Sequence, residues 1–431
     1  MPHKLTFLFM PESAYGPTNN CIGIGNELLR RGHRVVFAAE ASWAGKLSAL
    51  GFEEDLVDLA PPPEDAGEQD AGQFWKDYIT AVSPEFRRST QEQLETVTAP
   101  IWQELIDGAR YCEPQLKSII ERTKPDVIIE DNVITFPALL SAGVPFVRIV
   151  SCNPLEVRGD GIAPVFSGLP EAESPEWQAF RDEYDRTHRP MWRDFDAWVQ
   201  QQGAGPLPDL DFIHTGDLNL YVYPQELDYV DARPLDDSWL RIDSSVRETD
   251  GEPDIPAEFL ALDGPLIYFS LGSLGSADVD LMRSVIAALA DQPYRVIVSK
   301  GPRHAEIELA DNMWGAEFLP QTRILPLVDL VITHGGNNTT TEAMHFGKPM
   351  VLLPLFWDQY DNAQRVHEKG FGVRLSTYEF DAEQLRAAID EQLGDPAHVE
   401  RARVTGDAIR SRSGLRLAAD RIEALAQGRR Q

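Results

Sequence analysis

Short apolar runs alternate along this chain with stretches of helical periodicity. Residues 5–10 read as a strand, 19–31 as a helix and 35–38 as a second strand. Pro125 ends a helical stretch just before Asp126-Val-Ile-Ile-Glu130, and a short helix then leads into a strand at Phe146–Val150. The same grammar restarts at Leu266–Ser270 and continues through Arg295–Ser299, Leu327–Ile332 and Met350–Leu353. Alternation of this kind predicts right-handed βαβ units and parallel sheets. Between the two sets lies a Pro- and Asp-rich stretch, residues 243–263, that reads as a linker. The predicted organisation is α/β: two Rossmann-like domains, 1–242 and 264–431, facing across a cleft. No sequence repeat recurs at a fixed period. Residues 61–73 are acidic and Pro/Gly-rich and are expected to form a mobile loop.

One stretch carries chemistry. Val331-Ile-Thr-His334-Gly335-Gly336-Asn337-Asn338-Thr339-Thr-Thr-Glu342 predicts a strand ending at His334, a turn of two glycines, and a helix opening at Asn338 or Thr339. Glycines let backbone N–H groups approach an oxyanion, and a first helical turn adds unpaired N–H groups and the positive dipole end. His334, Asn338 and Thr339 add side-chain donors. Glu342, one turn along, suits a ribose diol better than a phosphate. Asp358-Gln359 follows the apolar run 350–357, so a second strand is expected to end in a polar pair beside the first. Phosphate, ribose and sugar hydroxyls each find a partner, which points to a nucleotide-sugar pocket.

From Glu317 to about Gly372 the chain resembles the donor-binding signature of the family 1 glycosyltransferases: the UDP-dependent enzymes of plants and animals and the bacterial macrolide-type enzymes. The matching residues are Phe318-Leu-Pro320-Gln321, the run His334 to Thr339 including Gly336 and Asn337, Glu342, Gly347-Lys-Pro349 and Asp358-Gln359-Tyr-Asp-Asn362. Weaker matches are Tyr268-Phe-Ser-Leu-Gly272-Ser273 and Leu28-Leu-Arg-Arg-Gly32-His33-Arg-Val35. The resemblance implies the GT-B fold, with the last helical stretch, about 396–428, crossing back to the N-terminal domain. It also implies roles: Phe318 stacking on uracil, Gln321 beside base and ribose, and His334, Asn338 and Thr339 on the diphosphate. Glu342 is then the ribose ligand, Asp358 and Gln359 hold the transferred sugar, and Ser273 is a phosphate-side contact. Gln at the second place of that pair is commonest in glucose users. His33, in the same comparison, marks the turn into the second strand.

The acceptor half departs from the family pattern. Relatives place a His base in a Gly-His pair after the first strand, and the matching position here is Gly16-Pro17. Proline cannot take a proton. The Asp that orients that His has its counterpart in Asp131, at the end of Pro125-Asp126-Val-Ile-Ile-Glu130-Asp131. Asp131 is therefore the expected base, which suits phenols and other acidic hydroxyls. Glu12, Tyr15 or Asn19 in the same loop is the alternative, and a protein that chiefly binds nucleotide sugar, as a non-catalytic auxiliary, is a third. Trp43, Trp75, Trp102, Trp177, Trp192 and Trp198, with nearby Phe and Tyr, suggest a flat or greasy acceptor: a polyketide, macrolide or phenolic natural product.

Composition narrows this further. A length of 431 residues suits two domains. No apolar run reaches the roughly 20 residues of a membrane helix, and the first apolar run is too short for a signal segment, so the protein is expected in the cytoplasm. Cys21, Cys112 and Cys152, odd in number and widely spaced, fit neither a disulfide framework nor a zinc site. A net charge of −30 argues against nucleic acid and anionic membranes, and makes local positive potential for a nucleotide sugar more necessary. No cofactor or metal is expected: preorganised N–H donors and an imidazole can stabilise a departing UDP. The acidic pairs Asp209/Asp211 and Asp278/Asp280 are chance products of 69 acidic residues. The reading is an inverting transfer of a hexose, expected to be glucose, from a UDP-sugar to a small hydrophobic acceptor. A dTDP-deoxysugar donor is the alternative.

Overall fold

Two parallel sheets meet at one cavity in the computed structural model, which describes residues 4–61, 81–248 and 251–428. The first sheet has the order β3-β2-β1-β4-β5-β6-β7, with β1 Thr6–Pro11, β2 Arg34–Phe37, β3 Glu53–Glu54, β4 Val127–Asp131, β5 Phe146–Val150, β6 Leu218–Val222 and β7 Trp239–Ile242. The second runs β10-β9-β8-β11-β12-β13, with β8 Leu266–Ser270, β9 Arg295–Ser299, β10 Met313–Ala316, β11 Leu330–Thr333, β12 Met350–Leu352 and β13 Gly372–Arg374. Every pairing is parallel. Strand order reverses between β1 and β4 and again between β8 and β11. Ligands of open α/β sheets bind at such switch points, beyond the carboxyl ends of the strands.

Strands of these sheets are covered on both faces and so carry near-continuous apolar sequence. Every residue of β4, β5, β6, β8 and β11 is buried. The longer helices used below are α1 Tyr15–Arg30, α2 Ala99–Thr123, α3 Pro175–Gln201, α4 Asn337–His345, α5 Gln359–Glu368, α6 Pro396–Ser411 and α7 Gly414–Gly428. The expected C-terminal helical stretch is two helices, broken at Ser413, whose φ is +54°. α7 returns to the first sheet. Ala418, Ala419, Ile422 and Ala426 form its apolar stripe and are buried with Phe7, Ile24, Leu28 and Val147. Arg31 bonds Asp420 at 2.7 Å, and His33 Nε2 lies 2.7 Å from Glu423 while its Nδ1 accepts from the Leu5 N–H.

Sequence periodicity misplaces the start of α1 by four residues and that of the strand expected from Leu327, which begins at Leu330. α1 begins at Tyr15, four residues before the expected 19, so Gly16-Pro17 lies in its first turn rather than in a loop. Proline is tolerated there because first-turn N–H groups have no intrahelical partner. Apart from Pro61, the acidic segment at 61–73 lies outside the described residues, as do Phe74, Trp75 and Tyr78. No helix among the described residues is long and apolar enough to cross a membrane.

Candidate active site

A cavity of about 560 Å³ lies between the carboxyl ends of the two sheets. Asp131, Ser273, Phe318, Gln321, His334, Gly336, Asn337, Asn338, Thr339, Asp358 and Gln359 all line it. Glu342 does not. It sits behind the wall, its carboxylate accepting from Gln321 Nε2 at 2.7 Å and from Arg247 Nη1 at 2.9 Å.

The end of the cavity that suits an anion is built from β11 and α4. The helix starts at Asn337, one residue earlier than expected, with Gly336 as its N-cap and no side chain capping it. Its first-turn N–H groups therefore remain available to a ligand. Gly272 and Gly336 clasp the His334 ring, since a Cβ on either would lie 2.6 Å from an imidazole atom. Burial pushes the His334 pKa down to about 4, so near neutral pH the ring is uncharged and offers a single N–H. Thr339 Oγ1 is 3.3 Å from Gln321 Nε2. Asn337 turns its amide away, donating from Nδ2 to the Val222 carbonyl of β6 at 3.0 Å. It thereby ties the two halves together, leaving its backbone N–H as its contribution to the anion end.

The polar pair at the end of β12 is held more tightly than sequence indicates. Trp357 adopts a left-handed φ of +58° before Asp358, and α5 follows at once. Gln359 Oε1 accepts from the N–H groups of Leu355 and Phe356, which leaves its NH₂ as the donor. Asp358 Oδ2 accepts from the Asn153 N–H at 2.8 Å and from Asn362 Nδ2 at 3.2 Å. Burial raises the Asp358 pKa to about 7. Phe318 is 45% exposed, so it is no core residue, and its ring lies 6.2 Å from that of Tyr15.

The opposite wall is the end of β4. Asp131 is 1% exposed, and its Oδ2 accepts from Ser151 Oγ at 2.6 Å, with Cys21 Sγ at 3.9 Å. Burial pushes its pKa well above the usual carboxylate range. Glu12, Tyr15, Gly16, Pro17 and Asn19 also reach the cavity. The Glu12 carboxylate folds back on its own loop, accepting from Ser13 Oγ at 2.9 Å and from the Ala14 N–H at 2.8 Å. The acidic pairs have other partners: Asp209 and Asp211 bond Arg189 and Arg158, and Asp278 caps a helix.

Against this geometry the sequence comparisons can be set. Residues 261–404 match the model of the family described as UDP-glucoronosyl and UDP-glucosyl transferase. NDP-glycosyltransferase YjiC of Bacillus subtilis (strain 168) is 25% identical over 419 residues, covering 95% of each chain. The C-terminal domain carries that family's model, and over its whole length the chain is similar to bacterial glycosyltransferases. Oleandomycin glycosyltransferase of Streptomyces antibioticus is 26% identical to this protein, over 96% of this chain and 89% of its own. Among solved structures, the glycotransferase of kitacinnamycin superposes with a TM-score of 0.72 at 23% identity, over 99% of this chain and all of its own. Glycosyltransferase VinC, solved in complex with DTDP, gives 0.66 at 18% identity, over 98% and 100%. The superpositions carry the GT-B fold that the sequence resemblance implied.

The acceptor wall of this protein corrects the sequence expectation. None of the described tryptophans before residue 200 lines the cavity; Trp43, Trp102 and Trp177 are buried in the core. Its aromatic lining comes instead from Tyr15, Tyr268, Phe318, Phe356 and Trp357. Trp102 and Phe166 act from behind, their rings 5.3 and 4.3 Å from that of Trp357. Sequence reasoning also missed Ser151 and Arg247, which both reach the cavity. Arg247 carries a faint signal, being the one cation between Asp243 and Asp263. Ser151 carries none.

Proposed function

We propose that the protein is an inverting transferase that moves a hexose, glucose first among candidates, from a UDP-sugar to a hydroxyl of a small hydrophobic acceptor. One observation carries this reading: an uncapped helix N-terminus and a neutral imidazole face a buried carboxylate across a single cavity. The acceptor oxygen would attack the anomeric carbon as its proton passes toward Asp131. The bond to the diphosphate would break on the opposite side, its electron pair leaving with the phosphate oxygen. The α4 N–H groups and His334 would take up that charge without a metal ion. Gln359 and Asp358 would hold the sugar hydroxyls, Phe318 the base, and Glu342 with Gln321 the ribose. The apolar and aromatic lining favours a flat acceptor, and relatives named for oleandomycin and demethyllactenocin make macrolide and phenolic natural products the first to try.

A dTDP-sugar donor is the second reading, favoured by the engagement of both Glu342 oxygens in this structure and by a fold relative solved with DTDP. The test is incubation with UDP-glucose or dTDP-glucose and pooled phenolic and macrolide acceptors, followed by mass spectrometry. A hexose-shifted acceptor with UDP-glucose supports the first reading, and one with dTDP-glucose alone supports the second. Tight donor binding without any product would overturn transfer to these acceptors in favour of an auxiliary role.

A further inference from the structure

We propose that Ser151 relays the acceptor's proton to Asp131. The inference rests on the reading of Asp131 as the base and adds the residue through which it acts. Both residues line the cavity, but Asp131 is only 1% exposed whereas Ser151, at the end of the neighbouring strand β5, is partly buried and presents more of itself to the cavity. Its hydroxyl donates to Asp131 Oδ2 at 2.6 Å. Its oxygen accepts from Asn20 Nδ2 at 2.8 Å, and Asn20, on α1, is itself 1% exposed. A serine oxygen has two lone pairs and one hydrogen. Asn20 occupies one lone pair and Asp131 takes the hydrogen, so the second lone pair is left for a proton arriving from the cavity.

The step balances without a further reactant. The acceptor O–H gives its proton to Ser151 Oγ while the Ser151 proton moves to Asp131 Oδ2. The acceptor oxygen forms its bond to the anomeric carbon as the carbon–oxygen bond to the nucleoside diphosphate breaks. Asp131 ends neutral and Ser151 unchanged, and the proton leaves with product exchange. The pairing stands in for the His–Asp arrangement that the family resemblance implies, with a hydroxyl from a different strand, so no imidazole is needed at position 17.

Acceptors of graded acidity separate proton relay from mere support of Asp131. Alkoxy-substituted phenols and aliphatic alcohols must lose a proton in the reaction, whereas a nitrophenol is already ionised at mildly alkaline pH. Ser151→Ala is expected to lower turnover of the weakly acidic acceptors by roughly 100-fold, the scale of general-base catalysis, and to leave nitrophenolate turnover nearly unchanged. Asp131→Asn should show the same graded pattern, and Ser151→Thr, which keeps a hydroxyl, should recover most of the loss. Donor hydrolysis in the same samples uses water as the acceptor and should fall with Ser151→Ala even when no aglycone is accepted. Melting temperatures identify any variant that fails to fold, in which case Asn20→Ala, which leaves Ser151 in place but unoriented, should give a smaller graded loss. A graded Asp131→Asn with a uniform or absent effect of Ser151→Ala would overturn the relay and keep Asp131 as a direct base. No gradation in either variant would overturn both.

Discussion

Asn153 and Asp358 join the two halves of the protein at the edge of the cavity. The Asn153 backbone N–H donates to Asp358 Oδ2 at 2.8 Å, and its side-chain NH₂ donates to Asn362 Oδ1 at 2.9 Å, to Tyr223 Oη at 3.0 Å and to Tyr229 Oη at 3.3 Å. Asn153 is fully buried and lies two residues beyond Ser151. The end of β5 thus carries both the hydroxyl proposed as a relay and the support for Asp358, the proposed sugar ligand. Asn153→Ala strips partners from buried Asn362 and two tyrosines, which should cost about 1–3 kcal/mol. The backbone N–H that holds Asp358 is kept but loses its side-chain anchor, so turnover should fall more than the donor KM rises. Thermal melts and steady-state kinetics on one preparation check both, and an unchanged melting temperature would remove the clasp.

Domain closure should loosen as pH rises. Burial pushes Asp358 to about 7 and Asp361 to about 8. Asp358 faces Glu156, the Asn153 N–H and Asn362; Asp361 faces Asp358, Arg374 and the N–H groups of Phe166 and Gly168. Once exposed by opening, both would ionise near the ordinary aspartate value of about 3.9. The closed form therefore binds protons that the open form has released. Its advantage is full below the lower values and is lost as pH passes through 7 to 8. Small-angle scattering should show expansion that develops from about pH 4 and is complete by about pH 8. Asp361→Asn swaps one acceptor oxygen for a donor, so it weakens closure by about 1 kcal/mol at every pH. It should also flatten the pH response, and an unflattened response would assign the expansion to the net charge instead.

Gly336 offers a clean test of the anion end. Its φ of −56° suits alanine, so Gly336→Ala strains no backbone. The new methyl would lie 2.6 Å from His334 Nε2 and must displace the ring. The expected result is a donor KM raised about tenfold, equivalent to about 1.4 kcal/mol, with a lowered melting temperature because Gly272 closes off the other side of the ring. An unchanged donor KM would remove His334 from the diphosphate site.

The donor strip was legible because it is local: strand, glycine turn and helix follow one another from Val331 to Glu342, and their chemistry survives as text. The parallel sheets were legible from β4, β5, β8 and β11, whose apolar runs are covered on both faces. β3, β10 and β13 are two to four residues long and too short for any period to register. The start of α1 was hidden because a proline in a first turn looks, in sequence, like a loop. The aromatics of α2 and α3 misled because helical spacing identifies a buried face without saying what covers it. Ser151 left no mark in the sequence and Arg247 only a faint one, for one reason: their partners Asn20 and Glu342 stand 131 and 95 residues away, and only closure of the fold brings them together.

The Arg247–Glu342 pair offers a test of whether the donor's ribose is read at this wall. Glu342 is 1% exposed and Arg247 reaches it from the linker, at a wall where the nucleotide is proposed to lie. A ribose could reach Glu342 only by replacing one of its present hydrogen bonds, from Gln321 or Arg247. That exchange is worthwhile for a diol and less so for deoxyribose, which lacks one of the two hydroxyls. Glu342→Ala removes a buried carboxylate partner from Arg247 and should lower stability by about 1–3 kcal/mol. Its effect on binding is the sharper test: UDP affinity should fall about tenfold, and dTDP affinity clearly less. Calorimetric titration of both nucleotides into wild type and Glu342→Ala reads the difference directly. Equal losses would leave Glu342 as a brace for Gln321 and Arg247, with ribose recognition assigned elsewhere. A selective loss of UDP would make Glu342 the residue that tells ribose from deoxyribose, and would favour a UDP-sugar as the donor.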